Sequence, residues 1–224
     1  MVIIIPAYNP DYHLLDLLND LKSILNNKII IVDDGSYNNS SKIFDKIKND
    51  VIFIEHSTNM GKGAAMKSAM KYVIDNLNNE DGIIFVDCDN QHKAVDVKNL
   101  IDTFYQHKDS LILGVRDFNN KSVPLKSKLG NKITRFIFKI KNKKYISDTQ
   151  TGLRCMSTKY IPLLLKIEGN KFEYEMNMLT KFVKDKTNIV EVPINTIYED
   201  KKNSTSNFKG FRDSLLIYKN LFKK

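Results

Sequence analysis

Two rhythms of apolar positions alternate along the first half of the chain. Short, mostly apolar runs occur at Val2–Ile5, Lys28–Val32, Val51–Glu55, Ile83–Val86 and Leu111–Val115. Runs of this length bounded by turn residues predict buried strands. Between them apolar residues recur every three or four positions. Leu14, Leu15, Leu17, Leu18, Leu21, Ile24 and Leu25 form one such series. Ser41–Lys48 gives a short second helix. Ala65, Ala69, Met70, Val73 and Leu77 mark a third within Ala64–Leu77, and Val95–His107 a fourth. Strands alternating with helices predict a mostly parallel central sheet flanked by helices on both faces.

The alternation loosens after Val115. Phe172–Val183 reads as a helix and Ile189–Ile194 as a strand, which Pro193 assigns to an edge. Asn203–Phe208 is a polar loop, and Phe208–Phe222 closes the chain as a helix. With no internal repeat and no long linker, residues 1–224 read as one domain. Pro6 ends the first run.

In such sheets ligands bind beyond the carboxyl ends of the strands. The residues following the strands are Pro6-Ala7-Tyr8-Asn9, Asp33-Asp34-Gly35-Ser36, Asn59 to Gly63, Asp87-Cys88-Asp89 and Arg116-Asp117. Small and polar residues therefore gather on one rim. Asp87 and Asp89 are the informative pair. In an extended segment, side chains two apart share a face, and two carboxylates side by side repel unless a cation is present. A chain with 19 aspartates holds an Asp-x-Asp triplet by chance, so it is the position after a buried strand that gives this one meaning.

Composition narrows the class. Apolar residues make up 42%, enough for a core, and the net charge is +9, which suits an anionic partner. Two cysteines, Cys88 and Cys155, cannot make a disulfide framework or a four-ligand zinc site. No signal peptide and no run of 18 apolar residues is seen, so a cytoplasmic protein is expected. The Walker A spacing and the three-glycine dinucleotide fingerprint are missing around Gly61-Lys62-Gly63. Lys121 to Lys144 holds nine basic residues and no acidic one. Wound as a helix, Lys128–Ile140 puts Leu129, Ile133, Phe136, Ile137 and Ile140 on one stripe, with Lys128, Lys132, Arg135 and Lys139 on its flank. Such a helix either packs its stripe on the sheet or lies in an anionic membrane interface. A nucleic-acid partner would use the same charge, but the acidic rim would repel its phosphates, so no nucleic acid is expected.

The motifs PAYN at Pro6–Asn9, DDGS at Asp33–Ser36, GKG at Gly61–Gly63, DCDNQH at Asp87–His92 and DTQTGLR at Asp148–Arg154 occur in the order seen in family 2 glycosyltransferases. The chain resembles the branch of dolichol-phosphate-mannose and polyprenyl-phosphate-glucose synthases. That resemblance implies a GT-A (Rossmann-like) fold, a nucleotide-sugar donor, Mg²⁺ or Mn²⁺, and inversion at the anomeric carbon. It implies a nucleotide-sugar half, 1–117, and an acceptor half, 118–224. A UDP-hexose is the first donor and polyprenyl phosphate the first acceptor; GDP-mannose and a hydroxyl of a surface glycan are the alternatives. Nucleotidyl transfer to a sugar phosphate, which would release pyrophosphate, is a further possibility.

By the same resemblance Asp89 is a metal ligand, Gln91 joins the metal shell, and Asp87 touches the ribose or the metal's water. One of Asp33 and Asp34 accepts the imino N–H of the base. Pro6, Tyr8 and Asn9 line the base and ribose. Lys62, at a helix start that favours phosphate, faces the nucleotide. His92 approaches the acceptor or the pyrophosphate, whereas His13, His56 and His107 read as surface or packing residues. Asp148 faces the reacting carbon, with Glu175 the second candidate for the catalytic carboxylate. A hydroxyl acceptor would require a base; a phosphate acceptor would leave Asp148 to position groups. Arg116, Arg154, Ser204 and Ser206 are candidates for phosphate oxygens. Family members of this branch often carry membrane helices. This chain has none, so peripheral contact with the inner face of a membrane, or a membrane subunit, would bring it to a lipid acceptor.

Overall fold

A computed structural model describes residues 1–37, 40–118 and 125–195. Ser204, Ser206, the polar loop around them and the expected closing helix lie outside the described residues. Seven strands form one sheet: β1 (Val2–Ala7), β2 (Lys28–Asp33), β3 (Ile52–Glu55), β4 (Gly82–Phe85), β5 (Leu111–Arg116), β6 (Arg154–Ser157) and β7 (Ile189–Ile194). Their order is β3-β2-β1-β4-β6-β5-β7. All pairings are parallel except those of β6, which runs antiparallel to both β4 and β5. The fold is the expected α/β arrangement, and β7 is the predicted edge strand, parallel to β5.

The helices are α1 (His13–Ile24), α2 (Ser40–Asp45), α3 (Lys62–Asn76), α4 (Ala94–Gln106), α5 (Leu125–Asn142), α6 (Ile161–Leu164) and α7 (Glu173–Lys184). Strand alternation sorts the two cores. Val2 and Ile4 point to the face that packs α3, α6 and α7 with Phe138 of α5. Ile3 and Ile5 point to the other face, against α1, α2 and α4. A central strand buried on both faces must be apolar at every position, which is why VIIIPA has no polar residue.

Two expectations are corrected. Pro6 does not end β1; the strand continues to Ala7, with Pro6 in register with Val32, since a proline near a strand end removes a single donor. β6 was not anticipated. Its insertion between β4 and β5 puts Arg154 opposite Phe85 and Leu113.

The connectivity also fixes the crevice. From β1 the chain proceeds outward to β2 and β3, then returns to the other side of β1 as β4. The loops after β1 and β4 diverge there, at a topological switch point.

α5 has three faces. Asn131, Thr134 and Phe138 are buried at 1%, 1% and 0% exposure. Leu129, Ile133, Phe136 and Ile140, on the opposite side, are 61%, 43%, 65% and 62% exposed. The apolar stripe therefore faces outward instead of packing on the sheet, and of the five only Ile137 leans on the core.

Candidate active site

The rim is built by loops that hold one another. The Asp34 amide donates to the Ala7 carbonyl (2.8 Å), and the Asn9 amide donates to Ser36 Oγ (2.8 Å). Asn9 Oδ1 accepts from the Tyr37 amide (2.8 Å), and Tyr8 meets Tyr37 edge-on at 6.0 Å. Pro6 is buried beneath them. Asp33 accepts from the Ser36 amide at 2.8 Å. Asp34 accepts from the amides of Met60 (2.9 Å) and Gly61 (2.8 Å), with His56 Nδ1 at 2.8 Å. His56 Nε2 lies 2.9 Å from Ser68 Oγ. His56 is thus a partner of the DDGS motif. Asp34 fixes the backbone that leads into α3, where Gly61 has φ +101°, a conformation suited to glycine.

At the end of β4, Asp87 Oδ1 accepts from Lys62 Nζ at 2.6 Å, and Lys62 also reaches the Glu175 carboxylate at 3.0 Å. His92, buried, has Nε2 3.6 Å from Asp87 Oδ2. Burial opposes ionisation of Asp87, but the Lys62 charge and His92 outweigh it and hold the carboxyl well below the usual range. Burial, then the charge of Asp87, push Asp89 up to about 6. The Gln91 amide donates to Asp89 Oδ1 at 3.2 Å, and Asn90 takes a left-handed φ of 55° to make that turn. Burial and the charges of Asp89 and Asp87 push the Cys88 thiol up to about 12, so Cys88 stays protonated and supplies no nucleophile.

Asp148, expected to face the reacting carbon, is fully buried. Arg116 grips it with Nε (2.6 Å) and Nη2 (3.0 Å); Asn131 Nδ2 donates to Oδ1 at 2.8 Å and the Gln150 amide at 3.1 Å. Burial would raise its pKa, but the Arg116 charge and these donors hold it below the usual carboxylate range. A carboxylate so saturated is a poor proton acceptor. These contacts fix the Arg116 fork, an arrangement compatible with the positioning role that a phosphate acceptor would leave to Asp148. Arg154, expected as a ligand of phosphate oxygens, is held by backbone carbonyls instead. It is 1% exposed, and its guanidinium donates to the carbonyls of Thr151 (2.9 Å), Glu175 (2.5 Å) and Thr149 (3.4 Å). It ties β6 to α7 and to the Thr149–Thr151 backbone. Glu175 and Glu173 diverge as expected for residues two apart on a helix: Glu173 accepts from the Asn170 and Lys171 amides.

Two contributors went unnoticed in the sequence. Gly152 passes so close to Asp87 that a Cβ there would lie 2.2 Å from Oδ2, so a larger residue would displace the Asp87 carboxylate. Asn131 holds Asp148 from α5. A polar residue on the helix face opposite the apolar stripe was the available signal for it.

The comparisons agree with this architecture. The model of glycosyl transferase family 2 matches residues 2–163. The chain is 32% identical over 217 residues to the UDP-N-acetylglucosamine–dolichyl-phosphate N-acetylglucosaminyltransferase of Methanococcus voltae, covering 88% of this chain and 86% of that one. It is 28% identical over 228 residues to an uncharacterised protein of Methanocaldococcus jannaschii, covering 99% and 91%. Among solved structures, the glucosyl-3-phosphoglycerate synthase of Mycobacterium tuberculosis in complex with Mn²⁺, UDP and phosphoglyceric acid superposes with a TM-score of 0.69. The sequence identity is 13%, with 89% of this chain and 70% of that chain covered, a likeness of fold. With its rim at the β1–β4 switch point and its motifs in order, the chain belongs to glycosyltransferase family 2 and is a glycosyltransferase of GT-A fold.

Proposed function

We propose that this enzyme transfers a sugar, with inversion, from a UDP-sugar to a polyprenyl phosphate at a membrane surface. The observation that carries the acceptor is the state of Asp148 and Glu175. Each is tied to a cation, Asp148 to Arg116 and Glu175 to Lys62. A hydroxyl acceptor needs a free base, because it is barely ionised near pH 7. A phosphate acceptor already carries its charge and needs cations near it instead. Acids neutralised in this way suit the phosphate. The Methanococcus relative, named for UDP-N-acetylglucosamine and dolichyl phosphate, supports the same pairing of donor and acceptor.

Asp89, with Gln91 and Asp87, would hold Mg²⁺ or Mn²⁺. The donor set fits a hard cation: every candidate ligand is oxygen. Among the described residues no group of three or more His, Cys, Asp or Glu gathers. Two acids and an amide leave coordination positions for diphosphate oxygens, a usual arrangement for Mg²⁺ at phosphate substrates. When bound, the ion supplies positive charge against the departing diphosphate. Tyr8, Asn9 and the Asp33–Asp34 pair shape the nucleoside end, with Pro6 beneath. Lys62 faces the diphosphate. Arg116, held by Asp148 and Asn131, orients the acceptor phosphate. Ser204 and Ser206 remain candidates for phosphate oxygens.

The outer face of α5 supports a lipid acceptor. Leu129, Ile133, Phe136 and Tyr145 line an open apolar depression flanked by Lys132 and Lys139. Among the described residues no helix is long and apolar enough to cross a membrane. Peripheral contact through this face would place the rim beside lipid headgroups.

The test is a transfer assay with short-chain polyprenyl phosphate. The donors are UDP-N-acetylglucosamine, UDP-glucose and GDP-mannose, each with Mn²⁺, with Mg²⁺ and with EDTA. A glycosylated lipid phosphate and free UDP, both lost with EDTA, are expected. Release of pyrophosphate, or turnover that ignores EDTA, would contradict the reading.

A further inference from the structure

Lys62 is the first residue of α3, where the partial charge of the helix end is positive. A cation belongs at the other end of a helix, so something negative must retain it. Asp87 at 2.6 Å and Glu175 at 3.0 Å do so, and the Lys62 side chain is only 16% exposed. Asp87 is also one of the two acids expected to face a metal. An ammonium and a dication cannot share that carboxylate oxygen without strong repulsion. A free metal ion entering the rim therefore meets Asp89, a neutralised Asp87 and a fixed positive charge. A metal bound to a nucleoside diphosphate meets a different site, because it brings phosphate oxygens that can take over the ammonium.

We propose that Lys62 is an internal counter-ion that keeps the metal site closed to free metal and opens it to metal and nucleotide together. Glu175 is the pivot: it keeps one hold on Lys62 while the ammonium exchanges Asp87 for a diphosphate oxygen. Asp87, backed by Gly152 and by His92 at 3.6 Å from Oδ2, is then released toward the metal. The exchange needs no backbone movement, since the lysine stem has four rotatable bonds. Metal and nucleotide become coupled ligands, each raising the affinity of the other by the same factor. This inference rests on the metal-dependent reading above and adds the order in which the site fills.

The experiment measures Mn²⁺ binding by electron paramagnetic resonance, with and without UDP, on the full chain. Wild type is expected to bind Mn²⁺ alone weakly and to gain about tenfold or more when UDP is present, within the usual range of such couplings. Lys62→Met, which keeps the stem and removes the charge, is expected to bind Mn²⁺ alone about tenfold tighter and to gain much less from UDP. Lys67→Met removes a charge from the same helix, but Lys67 bonds to the Gly169 carbonyl (2.8 Å) and is not bonded to Asp87. It should leave Mn²⁺ binding unchanged. If Lys62→Met fails to fold, Lys62→Gln carries the same expectation. Mn²⁺ binding no tighter in the Lys62 variants than in wild type would overturn the proposal. So would equal tightening in Lys67→Met, which would reduce the effect to net charge. Absence of Mn²⁺ binding in every protein, with UDP present, would instead sink the metal-dependent reading on which it rests.

Discussion

Arg116 and Asp148 form a two-pronged pair, with Nε to Oδ2 at 2.6 Å and Nη2 to Oδ1 at 3.0 Å. The Asp148 side chain is sealed from solvent while the Arg116 side chain keeps 18% exposure. An anchored, partly exposed fork is a suitable receptor for a phosphate. Asp148→Asn should therefore slow transfer about a hundredfold by misplacing Arg116 while UDP affinity stays unchanged. Steady-state kinetics beside calorimetry with UDP separates the two. A pure loss of UDP affinity would remove Asp148 from the acceptor side.

The same pair sets a pH dependence of stability. The folded carboxyl of Asp148 is held below its unfolded value, which is about 3.9. Its contribution is fully present above that unfolded value and is lost as pH falls through the depressed folded one. Thermal melts from pH 6 to pH 2 should show wild type losing its advantage over Asp148→Asn only below about pH 4. An advantage already lost between pH 6 and pH 5 would contradict the pairing.

Gly152→Ala introduces a Cβ 2.2 Å from Asp87 Oδ2. Asp87 must shift, and with it the proposed metal site. Mn²⁺-dependent turnover should fall at least about tenfold, with far-ultraviolet circular dichroism unchanged. Wild-type turnover in Gly152→Ala would show that the position of Asp87 is not critical.

On α5, Leu129→Ser with Phe136→Ser alters side chains 61% and 65% exposed, so stability should change by no more than about 0.5 kcal/mol per site. Sedimentation with vesicles containing anionic lipid should drop sharply, whereas wild type binds and is released by salt. Undiminished vesicle binding by the double variant would assign the contact to another surface.

Much of this architecture was legible in the sequence. The five strands of the first half, their helices and the polar rim follow from apolar runs that end in turn residues, because both sheet faces are buried. What was not legible depends on distant pairing. β6 begins with Arg154 and has no apolar run of its own; antiparallel insertion between β4 and β5 creates it. Arg154 followed that error, since an arginine after a polar motif reads as a surface cation until β6 carries it inside. His56 and Asp34 are far apart in sequence and meet because the His56 amide donates to the Asp33 carbonyl where β2 and β3 end. Sequence order likewise reveals the Asp148 carboxylate but not the Arg116, Asn131 and Gln150 donors that surround it.

In the proposed reaction the acceptor brings its own charge. The most direct test compares a polyprenyl phosphate with the polyprenol of the same chain length, under the same UDP-sugar and Mn²⁺. Transfer to the phosphate and none to the alcohol is expected; transfer to the alcohol at a comparable rate would show that the acceptor need not carry charge.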